Sequence, residues 1–338
     1  MPPDPMRAAA TVMGGRPAAA AAPDGPRVTV VIPARDAAGT LERALASVLA
    51  QDWRPLEVVV VDDASCDATA AIATRLAATA EDVAVRVVRL DPARGAAGAR
   101  NAGIAAAEGE IIAFQDADDE WLPGKLTRQV ARLRADPRIL FVACGARLVA
   151  ASGEDIGALY DGQTPPEGAM AWRALLARNT IATPSVIAWT RELRALGGFD
   201  TSLRIAEDQD MWIRLAMRGP LGYVDAPLVR VHVAADSLSS IGQRRGYQDQ
   251  LRFTLPMVQR YVAMKRSELS AREVRRILGE RWGRLGRAAY TYRVYGAGLG
   301  MVLHAMLLGY RPFENLLFLA SAAPPMRWLK RRIGIERA

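Results

Sequence analysis

Three aspartates, Asp116, Asp118 and Asp119, fall within four residues of one another directly after the apolar run Ile111 to Phe114. Carboxylates this close repel each other, and a proton or a cation relieves the repulsion. An all-oxygen set suits a hard divalent ion, magnesium or manganese, which can also bridge nucleotide phosphates and neutralise a departing diphosphate. The plainer alternative is that these residues cap the helix opening near Pro123. Two other apolar runs end in acidic turns: Val28 to Ile32 leads into Pro33-Ala34-Arg35-Asp36, and Val58 to Val61 into Asp62-Asp63-Ala64-Ser65. For Asp63, a turn-and-cap role and a carboxylate that accepts hydrogen bonds from a nucleobase both fit.

These turns need elements to hold them. Short β-branched runs at Val28 to Ile32, Val58 to Val61, Val85 to Leu90, Ile111 to Phe114 and Ile139 to Cys144 alternate with helical patterns. That alternation predicts βαβ units and an α/β fold with a mainly parallel central sheet flanked by helices. Strands so uniformly apolar are expected to be buried on both faces. Thr40 is placed to cap a helix whose Leu41, Leu45, Val48 and Leu49 form one apolar stripe. Ligands of such sheets bind at the carboxyl ends of the strands, so the acidic turns should share one edge. Past Ala146 the alternation fades. Asp161 to Gly168, with Pro165 and Pro166, reads as loop, Met170 to Ala177 as helix, and Gly197-Gly198-Phe199-Asp200 as a turn. A helix then carries Glu207, Asp208, Asp210 and Trp212 near its start, with Trp212 expected in the core or in acceptor-side packing.

The 338 residues, 51% hydrophobic and 24% charged, suffice for one large α/β domain with an appendage. Cys66 and Cys144 lack disulfide or zinc spacing and read as small buried side chains in a reducing cytosol. Residues 1–26, rich in Ala, Pro and Gly, lack the continuous apolar run and cleavage site of a signal peptide and read as a disordered leader. The net charge of +8 hides an asymmetry: residues 243–338 hold 19 Lys and Arg against 6 Asp and Glu, which is +13, leaving −5 for the remainder. A basic quarter of this kind suits an anionic partner, either lipid headgroups or nucleic acid. Its longest apolar stretch, Val294 to Gly309, has sixteen residues, short of the ~20 needed to cross a bilayer. With Leu316 to Pro325 it reads either as helices on a membrane surface or as a helical bundle packed on the core.

Neither G-x-G-x-x-G after the first strand nor a P-loop is present, so phosphates must be held some other way; a metal with Arg94 or Arg100 would serve, although surface arginines are ordinarily just solvated. Taken in order and spacing, Val30-Val31-Ile32-Pro33, Val60-Val61-Asp62-Asp63-Ala64-Ser65, Ala99-Arg100-Asn101-Ala102-Gly103, Asp116-Ala117-Asp118-Asp119 and Glu207-Asp208 resemble the family 2 glycosyltransferases. The resemblance runs from Val28 to about His232. It implies the GT-A fold over residues 27–242, with a nucleotide-binding half at 27–146 and an acceptor half at 147–242, followed by a helical extension at 243–338.

The resemblance also implies an inverting transfer from a nucleotide diphosphate sugar, expected to be a UDP-sugar, to a hydroxyl in cell-surface polysaccharide or glycolipid synthesis. Pro33, Ala34, Asp36 and Asp63 would surround the nucleoside, and Arg94 and Arg100 would lie near the phosphates. Asp116, Ala117 and Asp118 would meet the metal and donor sugar, Asp118 being the ligand proper. His232, in Val229-Arg230-Val231-His232, would stand near diphosphate and metal. Asp208 matches the catalytic base that takes the proton of the acceptor hydroxyl. Arg35-Asp36 departs from the pattern, where an aromatic followed by Asn is frequent, and with it goes the expectation that a base stacks there. The implied partners are a glycan or lipid-linked acceptor and an anionic membrane surface, with nucleic acid not expected. The implied location is cytoplasmic, peripheral on the inner face of the membrane. A nucleotidyltransferase and a scaffold with a decayed site are the competing readings. The first would show a Gly-rich basic loop where Pro33-Ala34-Arg35-Asp36 stands.

Overall fold

A computed structural model describes residues 11–13, 25–159, 164, 166–233 and 248–322. The expected loop residues 161–163 and Pro165, most of the leader, the boundary at Gln243 and the chain after Ala322 lie outside them. Two compact units result, residues 1–175 with 180–235 and residues 176–179 with 236–338.

In the first unit the described strands form one sheet. They are β1 (Thr11–Met13), β2 (Val28–Ala34), β3 (Leu56–Asp63), β4 (Ala84–Leu90), β5 (Ile111–Phe114), β6 (Glu120–Trp121), β7 (Phe141–Val149), β8 (Asp155–Ala158), β9 (Ile187–Trp189) and β10 (Leu221–His232). Their order is β1-β4-β3-β2-β5-β9-β7-β10-β6, with β8 on the far end of β7. The run β4-β3-β2-β5 is parallel throughout, and β7 pairs parallel with β10. Short β9 joins the two blocks antiparallel to both.

Every residue of β3 and β5 is buried, Glu57, Asp62 and Asp63 of β3 included, as their apolar central runs require when helices cover both faces. The covering helices are α1 (Leu41–Leu49), α2 (Thr69–Thr79), α3 (Gly95–Ala106), α4 (Lys125–Arg134), α5 (Ala171–Ala177), α6 (Thr190–Ala195) and α7 (Glu207–Arg218). α1 buries Leu41, Ala44, Leu45 and Val48, the expected stripe. Its cap differs from expectation, because Thr40 makes no side-chain bond to the helix N–H groups; its Oγ1 donates back to the Ala37 carbonyl at 3.4 Å. α3 packs close to the sheet. A Cβ on Gly103 would stand 2.3 Å from Val31 Cγ1, so only glycine lets the helix approach β2 this nearly.

Four corrections concern the sequence reading. Thr11–Met13, expected to be structureless, pairs antiparallel with β4, where a short Thr-Val-Met segment suits an open parallel edge. Cys66, expected to be buried, is exposed in the turn after β3, while Cys144 is buried. The helix after Asp119 starts at Lys125 behind Gly124 in a left-handed conformation, so none of the three aspartates caps it. The alternation that seemed to fade after Ala146 continues as β8, β9 and β10. β10 is disguised by Pro227 and by register breaks between Val224 and Val229.

The second unit holds α8 (Leu255–Met264), preceded by one π-helical turn (Gln250–Thr254), then α9 (Ala271–Thr291), α10 (Tyr295–Leu307) and α11 (Pro312–Ala322). α9 starts with a complete capping box, Ser270 and Glu273 each accepting the other's backbone N–H. Among the described residues no helix is long and apolar enough to cross a membrane.

Several buried polar atoms of the first unit have no hydrogen-bond partner, and the costliest of them is an ammonium. Lys125 is fully buried at the start of α4, its Nζ 3.8 Å from the Trp121 ring centre and without a hydrogen bond. Burial pushes its pKa down to about 8, the nearby Cys144 pulling weakly the other way. Between pH ~8 and ~10.5 the unfolded chain therefore binds a proton that the folded chain does not, and stability rises with pH across that window. Lys125→Met should stabilise the fold at pH 7 by about 1–3 kcal/mol, with the advantage shrinking as the pH approaches 10. Urea denaturation at several pH values measures it. A variant less stable than wild type at pH 7 contradicts the argument.

Candidate active site

Because β2, β3 and β5 run parallel, the segments after them share one edge, and the acidic turns meet there. The first two turns are laced together. The Asp36 N–H donates to Ser65 Oγ at 3.0 Å, the Asp36 carboxylate accepts the Cys66 N–H at 2.8 Å, and the Ala37 N–H donates to Thr69 Oγ1 at 2.7 Å. Asp36 and Ala64 take left-handed backbone conformations, φ 49° and 55°, which L-residues adopt at a cost. Ala34 is buried and Pro33 half-buried at the end of β2.

Asp63 is buried and spends its two oxygens on the start of α3, accepting the N–H groups of Arg94 at 2.6 Å and Gly95 at 2.8 Å. An anion at the amino end of a helix satisfies unpaired donors and the helix dipole together. Asp63 thus caps a helix, but α3, thirty residues on, rather than the one that follows it. Arg94 enters the site first through its backbone. Arg35 Nη1 lies 3.9 Å from Asp63 Oδ2.

α3 carries the next two contacts. Arg100, almost fully buried, donates from Nη2 to Asp116 at 2.9 Å and from Nη1 to Glu207 at 2.8 Å, with its guanidinium 5.6 Å from the Phe199 ring centre. Burial opposes its charge, yet Asp116 and Glu207, with Asp208 adding to them, leave its pKa raised. Arg100, expected at the phosphates, here joins the Asp116 turn to the start of α7. Asn101 fixes the same junction, its Nδ2 donating to the Phe199 carbonyl at 2.8 Å and its Oδ1 accepting the Phe199 N–H at 2.7 Å. Gly198 (φ 78°) is required here, because a Cβ would fall 2.4 Å from Asn101 Oδ1. Phe199 packs edge-on to Phe114 and to Trp212, which proves to be core. Asp208 sits half-buried in the first turn of α7, where its carboxylate accepts the Gln209 N–H at 2.6 Å. Ala206 before it is left-handed, φ 64°.

The Asp116–Asp119 turn is held on its other side by α1. Arg43 Nη2 donates to the Asp118 carbonyl at 2.6 Å, and Ser47 Oγ accepts the Trp121 N–H at 3.0 Å. Ala117 faces the core. Burial, then repulsion from Asp116, raises the Asp118 pKa; for Asp119 burial, Asp116 and Asp118 raise it well above the usual carboxylate range. Asp119 Oδ1 accepts the backbone N–H of His232 at 3.0 Å, which brings the end of β10 to this turn. The His232 Nε2 is buried without a hydrogen-bond partner, 3.8 Å from Glu120 Oε2. Burial and then Arg43 depress its pKa, so the imidazole is neutral at pH 7. Crowded carboxylates, two of them with raised pKa, thus lie in the same turn region as an unsatisfied neutral imidazole nitrogen. Among the described residues, no three His, Cys, Asp or Glu side chains stand together so that they could hold a metal ion.

Residues 29–164 match the model of Glycosyl transferase family 2. The putative glycosyltransferase EpsE of Bacillus subtilis is 30% identical over 201 residues, 59% of this chain and 70% of EpsE. The chain belongs to glycosyl transferase family 2. The succinoglycan biosynthesis protein ExoO of Rhizobium meliloti is 49% identical over 110 residues, 32% of this chain but only 30% of ExoO. Thus the chain matches about a third of that relative's length. The Escherichia coli UDP-Glc:alpha-D-GlcNAc-diphosphoundecaprenol beta-1,3-glucosyltransferase WfaP is 32% identical over 103 residues, 30% of this chain and 39% of WfaP. Among solved structures, the mannosyltransferase PcManGT of Pyrobaculum calidifontis with GDP-Man and Mn2+ superposes with a TM-score of 0.53 at 25% identity, over 90% of this chain and 88% of that one. TarS of S. aureus with UDP-GlcNAc gives 0.55 at 17% identity, over 81% and 89%. The sheet and its flanking helices are a GT-A fold.

Sequence reasoning did not single out Arg43, Glu120 or the structural use of Asn101. Arg43 looks like any solvent-facing residue of an amphipathic helix. Only the Gly198-Phe199 pair hinted at a close approach. Arg100→Met, which leaves Asp116 and Glu207 facing each other with no cation between them, should cost about 3–5 kcal/mol. Chemical denaturation reads this directly, and a loss below about 1 kcal/mol would show that the bridge is not a structural tie.

Proposed function

We propose that the chain is an inverting hexosyltransferase that moves a sugar from a nucleotide diphosphate sugar, with UDP as the carrier, to a hydroxyl of a glycan or lipid-linked acceptor. One observation carries this reading: Arg100 draws Asp116, Glu207 and Asp208, residues far apart in sequence, to one place on the sheet edge. The UDP-GlcNAc complex of TarS and the donor and acceptor in WfaP's name support the donor and acceptor classes. ExoO, a succinoglycan biosynthesis protein, supports a place in polysaccharide synthesis.

In this reading Pro33, Ala34, Asp36 and Asp63 surround the nucleoside. Each Asp63 oxygen that accepts an α3 N–H keeps a second lone pair for a base N–H. Asp116, Asp118 and His232 would hold a divalent cation, Mn2+ or Mg2+, which supplies charge neutralisation for the diphosphate leaving group; the Mn2+ of PcManGT supports that choice. Asp208 takes the proton of the acceptor hydroxyl as its oxygen attacks the anomeric carbon from the face opposite the diphosphate. Arg100 interacts electrostatically with Asp208 and ties the start of α7, on which Asp208 stands, to the Asp116 turn. On the acceptor half a cavity of about 220 Å³ opens among Gly145, Arg147, Thr180, Tyr223, Asp225 and Pro227. Phe114 donates its N–H to the Val186 carbonyl, so the chain before Val186, including Thr180 and Ala182, reaches the same sheet edge as the acidic turns. The thiols of Cys66 and Cys144 are free, which suits a reducing, cytoplasmic setting.

Asp208→Asn should lower transfer by about 10²–10⁴-fold while leaving the Kd for UDP within about twofold. Equal loss of UDP affinity would overturn the role given to Asp208. A panel of UDP-, GDP- and dTDP-sugars should raise the melting temperature only with Mn2+ or Mg2+, most for the true donor, and not in Asp118→Asn. Stabilisation that is as large in EDTA would overturn the cation.

A further inference from the structure

The hairpin of α10 and α11 presents a surface that water does not favour. From Val294 to Tyr310 the sequence has no Asp, Glu, Lys or Arg. α10 buries Gly298, Val302 and Ala305 along one side. On another, Leu299, Leu303 and Leu307, spaced by four, are 41%, 44% and 85% exposed. α11 repeats the arrangement, with Asn315 buried and Phe313, Leu316 and Leu317 more than half exposed. Of ten large hydrophobic side chains exposed among the described residues, these two helices carry six, so the exposure is concentrated and not scattered. A helix that is apolar on all sides is covered by something.

We propose that this hairpin lies flat in the surface of a membrane rich in anionic lipid, its leucines and Phe313 at the acyl boundary and its flanking arginines among the headgroups. Length excludes a crossing: the 13 residues of α10 extend only about 20 Å, against ~30 Å of hydrocarbon. Charge selects the occupant. Residues 243–338 carry +13, which draws them to anionic headgroups. A second copy would bring the same positive charge to the same face, and a nucleic acid would leave the leucines in water. The ends of α10 fit an interface as well. Exposed Arg293 precedes it, and exposed Arg311 follows it, 5.8 Å from the Tyr310 ring centre and paired with Glu314 at 2.7 Å, an aromatic and charged cluster suited to headgroup depth. The proposal does not depend on the reading of the catalytic cleft.

The test is flotation of the full chain with vesicles of phosphatidylcholine containing one-third phosphatidylglycerol, and with vesicles of phosphatidylcholine alone. Wild type should float with the first and much less with the second. The double variant Leu303→Glu, Leu307→Glu should bind at least about a hundredfold more weakly, since each buried leucine is worth about a factor of ten. Its melting temperature and its rate of UDP-sugar hydrolysis without lipid should match wild type. Leu307→Trp, which keeps the surface apolar and favours the interface, should bind at least as tightly as wild type. A double variant that floats like wild type overturns the proposal. So does wild type that is dimeric without lipid and fails to float, if the double variant is monomeric: a second copy would then be the cover. Loss of hydrolysis in wild type with flotation intact would instead overturn the catalytic reading alone.

Discussion

The arrangement of this site depends on one buried cation. Arg100 is nearly sealed from solvent, and a guanidinium there is tolerable only with carboxylates to receive its donors. Asp116 and Glu207 receive them, and Asp208 stands close enough to add to the field. The first comes from the turn after β5, the other two from the start of α7, nearly a hundred residues later. No backbone pairing links those segments directly. The guanidinium does, with its planar fork dictating the angle at which they meet.

α3, which carries Arg100, is itself located by three different interactions. Its amino end is fixed by Asp63, its face by the contact of Gly103 with Val31, and its middle by the two-way bond between Asn101 and Phe199. The side of the sheet that would meet a nucleoside and the side that would activate an acceptor are therefore referenced to one helix. α1 does the corresponding work for the Asp116–Asp119 turn through Arg43 and Ser47, and the Asp119 bond to His232 ties in the end of β10.

Much of this was legible in the sequence. Short, mostly apolar β-branched runs announce parallel strands, so β2 to β5 and the acidic turns behind them could be placed from pattern alone, even though Arg86 and Arg89 interrupt β4. The later strands could not. β9 has three residues, and β10 breaks its register around Pro227, so neither shows an alternation. The acidic residues were legible as a group but not in their pairing, since capping of a distant helix by Asp63 and bridging by Arg100 are tertiary facts. Lys125 was invisible for the same reason: a lysine in an amphipathic helix reads as solvent-facing until Trp121 and Cys144 are seen beside it.

Asp36, Ala64 and Ala206 hold left-handed backbone angles in the turns after β2 and β3 and just before α7. Each costs about 1–2 kcal/mol relative to a relaxed residue, and glycine would remove most of that cost. The chain keeps side chains there instead, accepting a less durable fold at this rim in return for narrower freedom in the unbound cleft. At Ala64 and Ala206, whose side chains make no polar contact, glycine would make a tougher molecule with a looser loop, so heat tolerance and preorganisation pull in opposite directions there.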